Sequence, residues 1–117
     1  MAVDLHTHST ASDGSEGPMA LVEKASALGL TALALTDHDT LEGIAEAEAA
    51  ASTADLELIP GTELSLDHHG AMHLVVLWLE PGPGPLQNRL ASLQHGRHAR
   101  NLAIVTLLDE LGMPVGI

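Results

Sequence analysis

His6 and His8 stand two residues apart, and Asp13 follows them in a stretch, DLHTHSTASDG, rich in Ser and Thr and closed by Gly14. Along a strand, residues i and i+2 face the same way, so both imidazoles can meet one cation with little backbone adjustment. An HxH pair alone reads more readily as two polar residues at a strand end. Two more segments carry donors of the same kind: TDHDT holds Asp37, His38 and Asp39, and PGTELS holds Glu63. His73 adds an imidazole inside the apolar run AMHLVVLWL, where by itself it would read as a core histidine. Cysteine is absent, so disulfides and thiolate ligation are excluded, and any metal must be held by imidazole and carboxylate.

Elements of one kind would bring these donors together. A strand is expected over about residues 2–6, then a polar loop to Gly17. Pro18 opens a helix with an apolar stripe of Leu21, Val22, Ala25 and Leu28, stopped by Gly29. LTALALT, residues 30–36, reads as a buried strand, followed by an alanine-rich helix from Leu41 to about Ala51, with Asp39 or Thr40 as its cap. Asp37 and Asp39 flank His38, and either could orient its imidazole or cap that helix, the cap being the expected role of Asp39. Residues 56–66 read as a strand interrupted at Pro60 and Gly61, DHHG at 67–70 as a turn, and residues 71–79 as a further strand, with a possible hairpin between them. The alternation implies an α/β fold with a parallel sheet. In parallel α/β sheets and barrels the C-terminal strand ends share one rim, so Asp13, His38 and Glu63, placed after or near the ends of three successive strands, can converge there.

Composition narrows the function classes. The 117 residues hold 16 acids against 4 bases, a formal charge of −12. Such a charge argues against a general duplex-DNA surface or an anionic membrane partner. Through Glu80 there are 14 acids and one base; beyond it, three arginines face Asp109 and Glu110. The acidic portion also holds six of the eight histidines, an arrangement that bound cations could partly neutralise. Aromatic residues make up 1%, Trp78 alone, so the core must be aliphatic; Trp78 and Met72 are expected in that core or against further chain. No apolar run approaches the roughly 20 residues of a membrane span, and the N-terminus lacks the pattern of a secretory signal, which leads to an expected cytoplasmic location. PGPGP, residues 81–85, reads as a linker between residues 1–80 and a helical segment from Leu86 to Leu111, weakened at Gly96 and closed by GMP. The final VGI reads as the start of a new strand, and a truncated chain is expected.

DLHTHSTASDG, ALALTDHDT, LIPGTELS and His73 resemble, in order and spacing, the first motifs of the polymerase and histidinol phosphatase (PHP) family of metal-dependent phosphoesterases, and most of all its bacterial nucleotide phosphatases and short-RNA exonucleases. The resemblance covers nearly the whole chain but only the N-terminal part of such a protein. It implies the beginning of a distorted (β/α)7 barrel, the start of a helical insert in residues 86–117, and a cluster of up to three divalent ions at the C-terminal rim. By position it makes His6, His8, Asp13, His38, Glu63 and His73 metal ligands, with Glu63 bridging two ions. A later histidine and an Asp-x-His pair would complete the set and are absent from these residues, so the 117-residue chain is expected to bind metal with little turnover. Metals would activate a water, clamp phosphate oxygens and stabilise the leaving alkoxide. Mixed imidazole and carboxylate ligation favours Mn²⁺, Fe²⁺ or Zn²⁺ over Mg²⁺.

The implied function is hydrolysis of phosphate esters of nucleotides or short oligonucleotides. The alternatives are a histidinol-phosphate phosphatase, a polymerase-associated module, disfavoured because the opening motif lacks the tyrosine and extended form associated with it, and a non-catalytic fragment that binds metal or a partner. Arg97 and Arg100, three apart on the expected helix, could reach one phosphate or simply form a solvated face. His68 and His69 read as solvated turn residues, and Ser9, Thr10 and Ser12 as locally hydrogen-bonded loop residues. Oligomeric state stays open.

Overall fold

A computed structural model describes residues 2–67, 70–80 and 83–113. The order of elements is β1 (Ala2–Thr7), α1 (Pro18–Ala27), β2 (Leu30–Leu35), α2 (Ile44–Ala54), β3 (Glu57–Asp67), β4 (Ala71–Leu77) and α3 (Pro85–Glu110). The chain divides into two compact units, Met1–Pro83 and Gly84–Ile117. In the first, a four-stranded sheet runs β1-β2-β3-β4, with β1, β2 and β3 parallel and β4 antiparallel to β3. This is the α/β architecture expected from the alternation of apolar runs, with Asp67 opposite Ala71 across the β3–β4 hairpin. His68 and His69 at its tip lie outside the described residues, as do the closing proline of GMP and the expected strand at VGI.

Period-2 alternation in β2 sorts its side chains between two faces. Leu33 and Leu35 pack against Val22 and Ala25 of α1 and Ile44, Ala47 and Ala51 of α2, so both helices cover one face. Burying each large aliphatic side chain there contributes about 1.5–3 kcal/mol. Ala32 and Ala34 point to the other face, where they meet Ile59 and Leu77. Pro18 stands at the first position of α1, where its missing N–H costs nothing. Gly29 follows α1 at φ +81°, with its N–H donating to the Ser26 carbonyl at 3.0 Å.

Several local expectations are corrected. β3 is not interrupted at Pro60 and Gly61 but changes partner there: residues 57–60 pair with β2, and 61–67 with β4. The Pro60 carbonyl accepts from Leu79 N–H, just past the end of β4, so the donor that proline lacks falls where the ladder has finished. Gly61 allows the switch, since a Cβ there would lie 2.4 Å from the Val76 carbonyl oxygen. α2 starts at Ile44 rather than Leu41, and Gly43, not Asp39 or Thr40, is its N-cap, without a side-chain cap. The Thr40 hydroxyl instead accepts from Glu42 N–H at 3.1 Å, holding a turn before the helix. Asp39 sits at φ 50°, and its carboxylate accepts from Ser65 N–H at 2.9 Å. Of the two places expected for Trp78 and Met72, the core is excluded, since they are 67% and 43% exposed.

In the second unit, α3 continues through Gly96 without a break and carries Arg97 and Arg100. Among the described residues, no helix is long and apolar enough to cross a membrane.

Candidate metal centre

Glu63 is the point of convergence. Its N–H donates to the Asp37 carbonyl and its own carbonyl accepts from Asp39 N–H, at 3.0 and 3.1 Å, so His38 and Glu63 form a parallel bridge beyond the last paired residues of β2. Glu63 therefore lies inside a long strand yet past the end of the β2–β3 parallel pairing. His73 reaches the same place from β4, where it pairs with Ser65. His6 comes from β1, and His8 and Asp13 from the loop that follows it.

The Glu63 carboxylate faces two ways. Oε1 meets His6 Nε2 and lies 3.6 Å from His8 Nε2, while Oε2 lies 3.0 Å from His38 Nδ1 and 3.1 Å from His73 Nδ1. Asp13 spans the other side, with Oδ1 2.8 Å from His8 Nδ1 and Oδ2 3.2 Å from His38 Nε2. The Glu63 side chain is 7% exposed, whereas those of His6, Asp13 and His73 are 55%, 63% and 51% exposed. A carboxylate floor with an open rim leaves an approach for an ion and for a larger ligand.

Three trios have one ligand atom from each member within 4.8 Å of one another: His6, His8 and Glu63; His8, Asp13 and His38; His38, Glu63 and His73. All six residues singled out as metal ligands by resemblance are thus brought together. Two observations fit a cation. His8 Nε2 is buried and, among the described residues, stands without a hydrogen-bond partner. Four imidazoles also crowd one carboxylate, with ring centroids 5.2 Å apart for His6 and His8, 4.3 Å for His8 and His38, and 5.4 Å for His38 and His73. Imidazoles converging in this way present, when deprotonated, lone pairs that a divalent ion can accept.

Desolvation pushes the Glu63 carboxyl up, but the hydrogen bond from His6 and the charge of His38 outweigh it and hold it below its ordinary value. For Asp13 desolvation is likewise outweighed, here by His38 and His8. Both groups therefore stay ionised toward lower pH, as ligation requires.

Ser9, Thr36, Asp37, Asp39, Thr40 and Thr62, chain neighbours of the donors, are also buried. Ser9 and Ser12 are hydrogen-bonded, as expected of loop residues, but their main partner is Asp37, 25 to 28 residues away, rather than a local group. Asp37 holds that loop, and Thr62 Oγ1 donates to the Asp37 carbonyl at 2.8 Å. Sequence reasoning singled out Asp37 and Asp39 but not these partners, and Thr62 was not singled out at all. Arg97 and Arg100 share a shallow depression on α3 with Ser92, Leu93 and Gly96, in the second unit.

The chain is similar to known proteins over most of its length. The model of the PHP domain matches residues 4–102. A 5'-3' exoribonuclease of Haemophilus influenzae is 43% identical over 112 residues, covering 95% of this chain and 41% of the relative. A 3',5'-nucleoside bisphosphate phosphatase of Chromobacterium violaceum is 36% identical over 112 residues, covering 95% and 39%. The solved structure of an amidohydrolase from C. violaceum with bound sulfate superposes with a TM-score of 0.85 at 34% identity, over 98% of this chain and 41% of that one. The chain spans about two-fifths of the length of these curated relatives. With six donors from four segments on one strand-end rim and a family match over most of its length, the chain belongs to the PHP domain family.

Proposed function

We propose that the chain is the N-terminal, metal-binding part of a phosphoesterase that hydrolyses phosphate esters of nucleotides or short oligonucleotides. The observation that carries this reading is the convergence of His6, His8, His38 and His73 on Glu63, with Asp13 joining His8 and His38, and with His8 Nε2 buried and without a hydrogen-bond partner among the described residues. Glu63 would bridge, its Oε1 serving the His6–His8 side and its Oε2 the His38–His73 side, with Asp13 between His8 and His38. Bound Mn²⁺, Fe²⁺ or Zn²⁺ would supply Lewis acidity and an activated water for in-line displacement at phosphorus. The half-exposed His6, Asp13 and His73 leave the rim open to a phosphate, while the buried Glu63 keeps its charge at the floor. The exoribonuclease and nucleoside bisphosphate phosphatase relatives support a nucleotide substrate class.

The test is twofold. The 117-residue chain, purified without chelator, should retain metal on elemental analysis and melt at a higher temperature in excess Mn²⁺ or Zn²⁺. A version continued to the length of the curated relatives should release phosphate from nucleoside bisphosphates and short RNA with metal dependence, whereas the 117-residue chain, with six ligands for up to three ions, turns over little. Preference for histidinol phosphate would favour the alternative phosphatase, and metal binding without any hydrolysis by the extended protein would favour a non-catalytic module. In the same extended protein, Arg97→Ala or Arg100→Ala should raise KM for a nucleotide substrate about five- to tenfold, the loss of one charge-assisted phosphate contact, with metal content unchanged. Unchanged kinetics in both variants would return these arginines to a solvated helix face.

A further inference from the structure

Asp37 is 2% exposed, and its carboxylate is engaged by the loop after β1. Its Oδ1 accepts from Ser9 N–H at 2.6 Å and from Ser12 Oγ–H at 2.7 Å, and its Oδ2 accepts from Ser9 Oγ–H at 2.7 Å. The loop closes around the same serine: the Ser9 carbonyl accepts from Ser12 N–H and Gly14 N–H at 3.1 and 2.8 Å, and Ser9 Oγ accepts from Ala11 N–H at 3.1 Å. Every member of the His8–Asp13–His38 trio is a chain neighbour of this knot, since His8 precedes Ser9, Asp13 follows Ser12 and His38 follows Asp37. One buried carboxylate therefore sets the relative positions of three ligand atoms that come from two segments of the chain. Without it, Ser9 N–H and two hydroxyls would lose their acceptor, and the loop would be free to move relative to His38.

Resting on the metal-centre reading, we propose that Asp37 is a positioning residue for the His8–Asp13–His38 side of the site, fixing its ligand spacing without touching an ion. The Asp39 carboxylate accepts from Ser65 N–H and so ties to the β3 segment that carries Glu63. Glu63 is tied to Asp37 through the backbone carbonyl, which a change of the Asp37 side chain leaves in place.

Co²⁺ titration of the 117-residue chain, followed by calorimetry and by the visible absorption bands that report ligand geometry, tests the proposal. Asp37→Ala should weaken binding about 10- to 100-fold, the usual effect of losing a group that orients ligands, and should change the Co²⁺ spectrum. Ser12→Ala, which removes one half-buried hydroxyl and leaves the rest of the knot, should weaken it about threefold. Asp37→Asn keeps the Oδ1 acceptor for Ser9 N–H and Ser12 Oγ–H and should restore most of the affinity and the spectrum. Ile44→Val, which thins the helix–sheet core, should leave both unchanged and so separates positioning from stability. A wild-type chain that binds no Co²⁺ would overturn the metal reading and this proposal with it. If the wild type binds, Asp37→Ala with wild-type affinity and spectrum overturns this proposal alone, and Ser12→Ala decides in the same way should Asp37→Ala fail to fold.

Discussion

Replacing Glu63 with Gln should remove most of the metal-dependent rise in melting temperature, leaving what the His8–Asp13–His38 trio can bind. At a metal concentration 100 times Kd, binding to the folded state alone adds about 2.7 kcal/mol. For a domain of this size that is on the order of 10–20 °C in Tm. Glu63 belongs to two of the three trios, and its two oxygens face opposite pairs of imidazoles. An amide has one weak acceptor oxygen and an NH₂ group that cannot ligate, so at most one side keeps its floor ligand and the bridge is lost. The pH response has a defined sign. Because the folded carboxyl titrates below its ordinary value, its stabilisation of the metal-free chain is present at neutral pH and is lost as pH falls through the carboxylate range. Glu63→Gln removes that contribution, so its melting temperature should fall less steeply on acidification. Calorimetric scans with and without Mn²⁺ at two pH values read both effects; a variant with the full metal-dependent rise would show that Glu63 is not the bridging floor.

Much of the frame was legible because its signals are local. Pro18 and Gly29 bracket α1, alanines fill α2, and most donor residues stand where apolar runs stop, so the α/β order follows from short windows of sequence, while the set of six convergent residues comes from the family resemblance of those windows. What was not legible depends on partners far along the chain. Asp39 is a good helix cap by type, but Ser65 N–H, 26 residues away, claims its carboxylate, and α2 begins at Ile44 without it. Pro60 and Gly61 look like a break in any single strand; their tolerance comes from β2 on one stretch and β4 on the next, a register that no local pattern encodes. The tie between Asp37 and Ser9 was hidden for the same reason. Trp78 shows the limit of residue type: the one aromatic of an aliphatic chain is a natural core candidate, yet it stands 67% exposed at φ 57°.

Two glycines of the same loop should behave in opposite ways when changed to Ala. At Gly14 a Cβ would lie 2.3 Å from the His8 carbonyl oxygen, 2.6 Å from His8 C and 2.8 Å from Ser9 C, all backbone atoms that cannot swing aside. The Gly14 N–H also donates to the Ser9 carbonyl at 2.8 Å, so the turn cannot open by the amount a methyl needs without breaking that bond. At Gly17 a Cβ would meet only Glu46 Oε2 and Thr10 Oγ1 at 3.9 Å, an ordinary contact. Gly14→Ala should therefore push His8 and Asp13 apart and lower metal content by at least one ion. The helix–sheet core of Val22, Leu33, Leu35 and Ile44 contains no residue of this loop, so the metal-free chain should lose only about 1–3 kcal/mol, the usual cost of an overpacked site. Gly17→Ala should keep both metal content and stability. Elemental analysis beside metal-free thermal melts separates the two effects, and wild-type metal content in Gly14→Ala would mean that the His8–Asp13 turn does not set the ligand spacing.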